Sequence, residues 1–223
     1  MAHTDRLEAE RRLWRRGFRR VMGLDEVGRG CLSGPVVAAG VILAPQFGSA
    51  SHPKSGGLDY SRLRDSKTIP AEERDELAEQ IKKSALYWTI RQCDPVEIDR
   101  LNILHASIQA MVRCAEGEGH PDFLLVDGNR YTDSLIPYEC IVGGDNLSAS
   151  IAAASILAKT FRDDLMKSLH NVYPWYGWDT NVGYPTKAHF DGLLRYGYTP
   201  HHRRSFRLRT DTPCRRDATR RTG

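Results

Sequence analysis

The chain has 223 residues, of which 40% are hydrophobic, and its formal net charge at pH 7 is +4. This length and apolar content suit one globular domain with short appendages. The longest apolar run, residues 35–44, is about half as long as the roughly 20 residues that a membrane-spanning helix needs, so we expect no membrane partner. The five cysteines never occur in CxxC spacing, which argues against a zinc site or a disulfide framework and predicts free thiols in a cytoplasmic protein.

The charge is unevenly distributed along the chain. Residues 1–20 hold seven arginines against three acids, residues 201–223 hold eight arginines against two acids, and the body between them is therefore acidic. Basic segments of this kind suit contact with phosphate backbones. We predict a basic N-terminal helix within residues 1–20, a catalytic domain over residues 21–209 and an Arg-rich disordered tail over residues 210–223.

Hydrophobic periodicity predicts strands and helices that alternate in the second half of the chain. The Gly-, Ser- and Pro-rich residues 46–61 predict a surface loop. The resulting fold class is α/β, a mixed sheet covered by helices in one domain. In chain order, strands are predicted over residues 20–26, 35–43, 85–93, 122–128 and 138–145, and helices over residues 6–18, 70–84, 94–117, 148–173 and 186–197.

A glycine-rich stretch follows the first strand and begins Gly28-Arg29-Gly30. Its GxGxxxG spacing is close to a dinucleotide-binding fingerprint, but that motif requires the glycine turn to open a helix. Here the β-branched residues 36–43 follow, which predict a strand. A nicotinamide-dependent oxidoreductase is therefore disfavoured, and we interpret the stretch as a bend whose backbone amides approach a ligand beside two acids.

Four acids are predicted at the ends of apolar strands: Asp25, Glu26, Asp127 and Asp145. Parallel neighbouring strands place their carboxyl ends at one edge of a sheet, so we expect these side chains to converge there. Oxygen ligands of this type favour Mg²⁺ or Mn²⁺, and two such ions suit in-line displacement at a phosphodiester. The alternative to a metal site is that Asp residues at strand ends only stabilise the turns that follow.

Seven separated motifs resemble type 2 ribonuclease H, the ribonuclease HII family, over about residues 20–206. They are GLDEVGRG, DSK, NILHASIQAM, LLVDGN, GDNLSASIAAASILAKTFRD, GYPTKAH and HRRSF, in that order. The resemblance implies a ribonuclease H-like five-stranded mixed sheet flanked by helices, with a C-terminal helical extension. It implies that Asp25, Glu26, Asp127 and Asp145 are the catalytic, metal-binding acids.

The implied activity is cleavage of the RNA strand of RNA–DNA hybrids. Incision 5′ of a single ribonucleotide in duplex DNA is implied as well, with 3′-hydroxyl and 5′-phosphate products. The implied partners are therefore RNA–DNA hybrids and ribonucleotide-containing duplex DNA, and we expect a monomer. Two other interpretations stay open: a catalytically silent nucleic-acid-binding module on this fold, and another nuclease on the same sheet, such as a type 3 ribonuclease H or a resolvase.

The resemblance also implies substrate contacts. The backbone of Gly28, Arg29 and Gly30 would recognise the ribose 2′-hydroxyl, which distinguishes RNA from DNA. Tyr184 would pack against the sugar, and Ser66 and Lys67 resemble phosphate contacts, although Lys67 suits a plain surface charge equally well. The HRRSF residues His202, Arg203 and Arg204 either reach the nucleic-acid backbone or tether the tail.

Two segments depart from the family pattern. Residues 181–184 read NVGY where the family often has a His and a Lys before Gly-Tyr, which puts local packing or a phosphate contact in doubt. The loop over residues 46–61 is longer than usual in the family, and we interpret it as a flexible insertion. Cys31 adjoins the acids, and we expect it to be a buried free thiol.

Overall fold

A computed structural model describes residues 5–46 and 58–206. The predicted tail over residues 210–223 and most of the predicted loop over residues 46–61 lie outside the described residues. The helices are α1 (Glu8–Arg15), α2 (Ala71–Ser84), α3 (Pro95–Leu101), α4 (Ile103–Ala115), α5 (Ala149–Val172), α6 (Trp178–Asn181) and α7 (Lys187–Tyr196). The strands are β1 (Val21–Val27), β2 (Val36–Ile42), β3 (Tyr87–Cys93), β4 (Phe123–Asp127) and β5 (Tyr138–Ile141).

The five strands form one mixed sheet in the order β3-β2-β1-β4-β5. β2 is antiparallel to both β1 and β3, whereas β1, β4 and β5 run parallel. The predicted five-stranded mixed sheet is confirmed. Because the three parallel strands end at the same edge, the acids that follow them are brought to one side of the molecule.

Helices cover both faces of the sheet. α5 packs across β1 and β2 with α2 beside it, and α4 covers the opposite face. Small residues at the start of α5 allow a close approach to β1, where Gly23 faces the helix backbone. A Cβ at Gly23 would lie 2.2 Å from the carbonyl carbon of Ser150, so no larger residue fits there without moving the helix.

The N-terminal helix α1 is docked on this body. Leu7, Leu13 and Trp14 are buried in the same core as the sheet. The Glu10 carboxylate is also buried; it accepts a 2.8 Å hydrogen bond from the Ser150 backbone N–H and a 2.6 Å hydrogen bond from Ser148 Oγ. Glu10 therefore satisfies donors at the first turn of α5, and α1 helps to hold that helix in place.

The single helix predicted over residues 94–117 is wrong, because the chain forms two helices separated at Asn102. The backbone of Asn102 has φ 64° and ψ 164°, which no helix accommodates. Its side-chain oxygen accepts hydrogen bonds from the N–H groups of Leu104 (3.0 Å) and His105 (3.2 Å) and so caps α4. The apolar periodicity continues across the break and conceals it.

The predicted strand over residues 138–145 is also too long, since β5 ends at Ile141. Gly143 has φ 66°, and the chain turns there into a short 3₁₀ helix, Gly144–Asn146, which carries Asp145. After α5 the chain forms the predicted C-terminal helical extension, with its own small core of Tyr176, Trp178 and Leu193. Within the described ranges, no helix has the length and apolar character needed to cross a bilayer.

Candidate active site

Two adjacent acids on β1 point to opposite faces of the sheet. Asp25 is buried on the α5 side, where it is hydrogen-bonded to Ser155, and its Oδ1 accepts a 2.7 Å hydrogen bond from the Glu26 N–H. Glu26 borders a cavity of about 230 Å³ on the α4 side. The period of two residues along a strand produces this arrangement. The cavity is lined by Glu26, Arg29, Leu104, Ser107, Ile108, Met111, Asp127, Gly128, Asn129 and Arg130.

Asp127 ends β4, the parallel neighbour of β1, and Asp145 follows in the 3₁₀ turn after β5. Asp127 Oδ1 accepts a 2.7 Å hydrogen bond from the Gly144 N–H, so the residue before Asp145 is tied directly to Asp127. Asp145 Oδ1 accepts a 3.1 Å hydrogen bond from Asn146 Nδ2. The structure thus brings Asp127 and Asp145 to the edge where Asp25 and Glu26 lie.

Burial and neighbouring charges raise the pKa values of three of the acids, Asp25, Glu26 and Asp145. Burial raises the pKa of Asp25 well above its ordinary value, and the charges of Glu26 and Asp127 raise it further. Burial likewise raises the pKa values of Glu26 and Asp145, and in both cases the charge of Asp127 contributes. Asp127 is therefore the carboxylate that lies within electrostatic range of the other three. Bringing these charges together is unfavourable unless a cation compensates them.

The chemistry of the donors suits a hard divalent cation. All four side chains offer carboxylate oxygens, which Mg²⁺ and Mn²⁺ prefer. In the described ranges, no group of three or more His, Cys, Asp or Glu side chains is arranged to hold an ion by itself. The acids therefore line the edge without closing a ligand shell among the described residues.

The glycine loop, defined here as residues 28–35, lies beside these acids. Arg29 is exposed, and its Nη1 lies 3.2 Å from Glu26 Oε1. A Cβ at Gly30 would lie 3.7 Å from Cε1 of Tyr184, so the loop and the predicted sugar-packing tyrosine face each other. The Tyr184 ring is more than one-third exposed and is available to a ligand.

Ser66 and Lys67 occupy different environments. Ser66 is buried, and its Oγ lies 2.9 Å from Ser155 Oγ, the same serine that is hydrogen-bonded to Asp25. Its hydroxyl faces the protein here, and its contact with a phosphate stays a prediction. Lys67 is exposed, and its charge offsets part of the rise that burial causes in the pKa values of Glu26 and Asp145. Lys67 therefore lies beside the acids as a positive group available to an anion.

The residues of the HRRSF motif have separate roles. His202 is buried, with its Nε2 3.1 Å from His189 Nε2, and Arg203 is buried against the glycine loop. Both side chains contact protein groups, whereas Arg204 is exposed with its guanidinium over the Tyr198 ring. The side chains of His202 and Arg203 thus bond within the body of the protein, and the alternative that the motif tethers the tail concerns residues outside the described ranges.

Sequence reasoning missed several residues that organise the site. Asn181, from the departing NVGY segment, donates to the Tyr176 carbonyl (2.7 Å) and accepts from the Gly183 N–H (2.8 Å), so it shapes the turn before Tyr184. The sequence pattern predicts only that Arg162 lies in a helix, whereas the structure shows it fully buried against the glycine loop. The expectation for Cys31 is confirmed, because its thiol is buried and free.

The fold matches solved proteins of one structural class. A ribonuclease HII of Archaeoglobus fulgidus, solved in complex with PCNA, superposes with a TM-score of 0.67 at 22% identity, covering 86% of this chain and 98% of that one. The ribonuclease H2 of Pyrococcus horikoshii superposes with a TM-score of 0.65 at 21% identity, covering 84% and 93%. These matches show that the chain has the ribonuclease H-like fold.

Sequence comparison specifies the family within that class. The family model for ribonuclease HII matches residues 22–209. A ribonuclease HII of Salinibacter ruber is 49% identical over 210 residues, which cover 92% of this chain and all of the relative. A ribonuclease HII of Porphyromonas gingivalis is 48% identical over 190 residues, covering 84% and 89%. The chain belongs to the ribonuclease HII family and is a nuclease of the ribonuclease H type.

Proposed function

We propose that this chain cleaves the RNA strand of RNA–DNA hybrids and also incises duplex DNA 5′ of a single ribonucleotide. Both reactions would leave a 3′-hydroxyl and a 5′-phosphate. Family membership supports the activity on hybrids. The observation that carries the proposal is the cluster of Asp25, Glu26 and Asp145 around Asp127, whose charge raises the pKa values of the other three. This cluster lies next to a loop suited to contact a ribose.

The donor chemistry supports two divalent ions, Mg²⁺ or Mn²⁺, at the acidic edge. Asp25 and Asp127 are our candidates for ligands that both ions would share, because Asp25 lies near the end of β1, Asp127 ends its parallel neighbour β4, and the charge of Asp127 raises the pKa of Asp25. Glu26 and Asp145 would complete the two shells. When bound, such ions supply an activated water and stabilise the leaving 3′-oxygen of the phosphodiester.

The protein itself orients these ligands and the substrate. The Gly144 N–H fixes one oxygen of Asp127, and the Glu26 N–H fixes one oxygen of Asp25, so both carboxylates are held in defined orientations. Lys67 offers a positive charge beside Asp145 for the substrate phosphate. The chain needs no nucleophilic side chain, because water attacks the phosphorus.

Selectivity for a ribonucleotide requires contact with the 2′-hydroxyl, the group that DNA lacks. The exposed Gly30 and the partly exposed Tyr184 ring lie next to each other, and Gly30 follows Arg29, whose side chain contacts Glu26. A backbone donor at Gly30 and the neighbouring Tyr184 ring would together contact a ribose that lies against both. Without a side chain at Gly30, the sugar approaches the main chain closely.

The Asp127→Asn variant tests the acid assignment. It should abolish Mg²⁺-dependent cleavage of a labelled hybrid while its affinity for that hybrid stays within a few-fold, because a metal ligand is lost and the basic surface is kept. Asp133→Asn, which changes an exposed loop acid, is the matched control and should cleave normally. Normal turnover by Asp127→Asn would refute the assignment.

A further inference from the structure

Two buried arginines hold the glycine loop by its carbonyl groups. The first, Arg162 on α5, is fully buried. Its Nε donates to the Pro35 carbonyl at 2.9 Å, its Nη2 to the Ser33 carbonyl at 3.0 Å and its Nη1 to the Val182 carbonyl at 2.8 Å. One guanidinium therefore joins the loop to the turn that precedes Tyr184.

The second arginine, Arg203, holds the same loop at other positions. Its Nε donates to the Gly34 carbonyl and its Nη1 to the Arg29 carbonyl, both at 3.0 Å. Burial lowers the pKa of Arg203 to about 10, so the side chain is still charged at neutral pH. Neither Arg203 nor Arg162 forms an ion pair with a carboxylate among residues 5–46 and 58–206. Burying a charge without an ion pair is costly, and the hydrogen bonds to main-chain carbonyls compensate the two guanidinium groups here.

Two glycines in the loop accommodate Arg162. Gly28 has φ +93°, and a Cβ there would lie 2.2 Å from Arg162 Nε. Gly34 has φ +79°, and a Cβ there would lie 2.4 Å from Met166 Sδ and 3.2 Å from Arg162 Nη2. Glycine at 28 therefore leaves space for the guanidinium of Arg162, and glycine at 34 leaves space for both Met166 and Arg162.

The turn before Tyr184 is strained and depends on the same contact. Val182 has φ 43°, which is unfavourable for a β-branched residue, and its carbonyl is the one that Arg162 holds. The Gly183 carbonyl accepts a 2.8 Å hydrogen bond from the Leu32 N–H of the glycine loop. Strained backbone of this kind persists only where its surroundings fix it.

We propose that Arg162 and Arg203 are positioning residues for ribose recognition, an inference that rests on the proposed function. In a trans peptide the carbonyl and the following N–H point in opposite directions. Because the Arg29 carbonyl is turned towards the buried Arg203, the N–H of the exposed Gly30 is turned away from that side chain. Arg162 fixes the backbone just before Tyr184 by holding the strained turn at Val182.

Binding to two matched duplexes tests this inference without turnover. In an Asp127→Asn background, which the proposed function makes inactive, the dissociation constants for a duplex with one ribonucleotide and for its all-DNA counterpart are measured with Mg²⁺. Arg162→Lys and Arg203→Lys keep the charge but lose the planar fork that bonds several carbonyls at once. Each should reduce the preference for the ribonucleotide duplex by about tenfold, since a hydrogen bond to a sugar hydroxyl is lost.

Two further variants separate positioning from general damage. Arg162→Met replaces the buried charge with an apolar side chain, which often preserves folding; it should melt cooperatively and still lose the preference. Arg20→Lys is the matched control, because Arg20 Nε bonds the Gly119 carbonyl (2.7 Å) at the far end of β1, and it should keep the preference.

The outcomes are distinguishable. If the Asp127→Asn background prefers the ribonucleotide duplex and Arg162→Lys, Arg162→Met and Arg203→Lys all keep that preference, the inference is overturned and the proposed function stands. An equal loss of affinity for both duplexes also overturns it, because that result reports structural damage. If the Asp127→Asn variant itself shows no preference for the ribonucleotide duplex, both the proposed recognition of the ribose and the inference that rests on it fail.

Discussion

The substitution Gly23→Ala perturbs the contact between β1 and α5 where the two backbones approach most closely. The added Cβ would lie 2.2 Å from the Ser150 carbonyl carbon, 2.4 Å from the Ile151 nitrogen and 2.6 Å from the Ser150 oxygen. Atoms in ordinary contact lie roughly 3.5–4.0 Å apart, so α5 must shift by more than about 1 Å. Overpacking of this kind costs about 1–3 kcal/mol in the free energy of unfolding.

The same shift reaches the active site, because α5 carries Ser155, which is hydrogen-bonded to Asp25. A displacement of about 1 Å at a catalytic group lowers the rate on the order of 10²-fold. Urea unfolding and the rate of hybrid cleavage measure the two effects. Gly30→Ala, whose Cβ meets nothing closer than 3.7 Å, is the control for stability. A Gly23→Ala variant with unchanged stability and rate would refute the close-approach argument.

Three further changes have expected outcomes. Asp25→Asn should abolish cleavage yet raise the free energy of unfolding in EDTA. Because the pKa of Asp25 is raised in the folded state, its ionisation destabilises the fold above the unfolded-state pKa, so the gain should be larger at pH 7 than at pH 4. A loss of stability at pH 7 would contradict this. Burial lowers the pKa of His202 from 6.5 to about 3. The unfolded chain therefore binds a proton at a higher pH than the folded chain does, and the free energy of unfolding should fall as the pH drops below 6.5. At pH 5 the loss from this group is on the order of 2 kcal/mol, and His202→Gln should flatten the pH dependence of urea unfolding. Asn102→Ala should lower the free energy of unfolding by about 2–3 kcal/mol, because the helix cap is lost and alanine must adopt a positive φ. Asn102→Gly should lower it by less, because glycine accepts that backbone conformation. Equal melting temperatures for the two variants would count against backbone strain at this residue.

The convergence of the acids is predictable from the sequence for a simple reason. Each acid follows an apolar run, and parallel strands end at a common edge. The structure departs from that reasoning at Asp145, which lies on a 3₁₀ turn because Gly143 ends the extended backbone early. The residue still reaches the edge, since the Gly144 N–H is bonded to Asp127. The hydrophobic pattern contains no information on this turn.

The arginines behind the glycine loop are not predictable in the same way. Arg162 lies in a helical sequence where a charged residue normally indicates a solvent-facing position. Its partners are main-chain carbonyls up to 129 residues away. Because every residue has a main-chain carbonyl, the residue types in a sequence do not indicate such partners. The glycines at 28 and 34 are the one local signal, and without the partner they suggest a ligand contact as readily as an arginine contact.

The most direct test of the proposed function is cleavage of a labelled DNA duplex that contains one ribonucleotide, in Mg²⁺, Mn²⁺ or EDTA, beside an all-DNA duplex. We expect one metal-dependent cut on the 5′ side of the ribonucleotide and an intact control. No cut with either metal, or equal cutting of the all-DNA duplex, would contradict the ribose recognition that we assign to Gly30 and Tyr184.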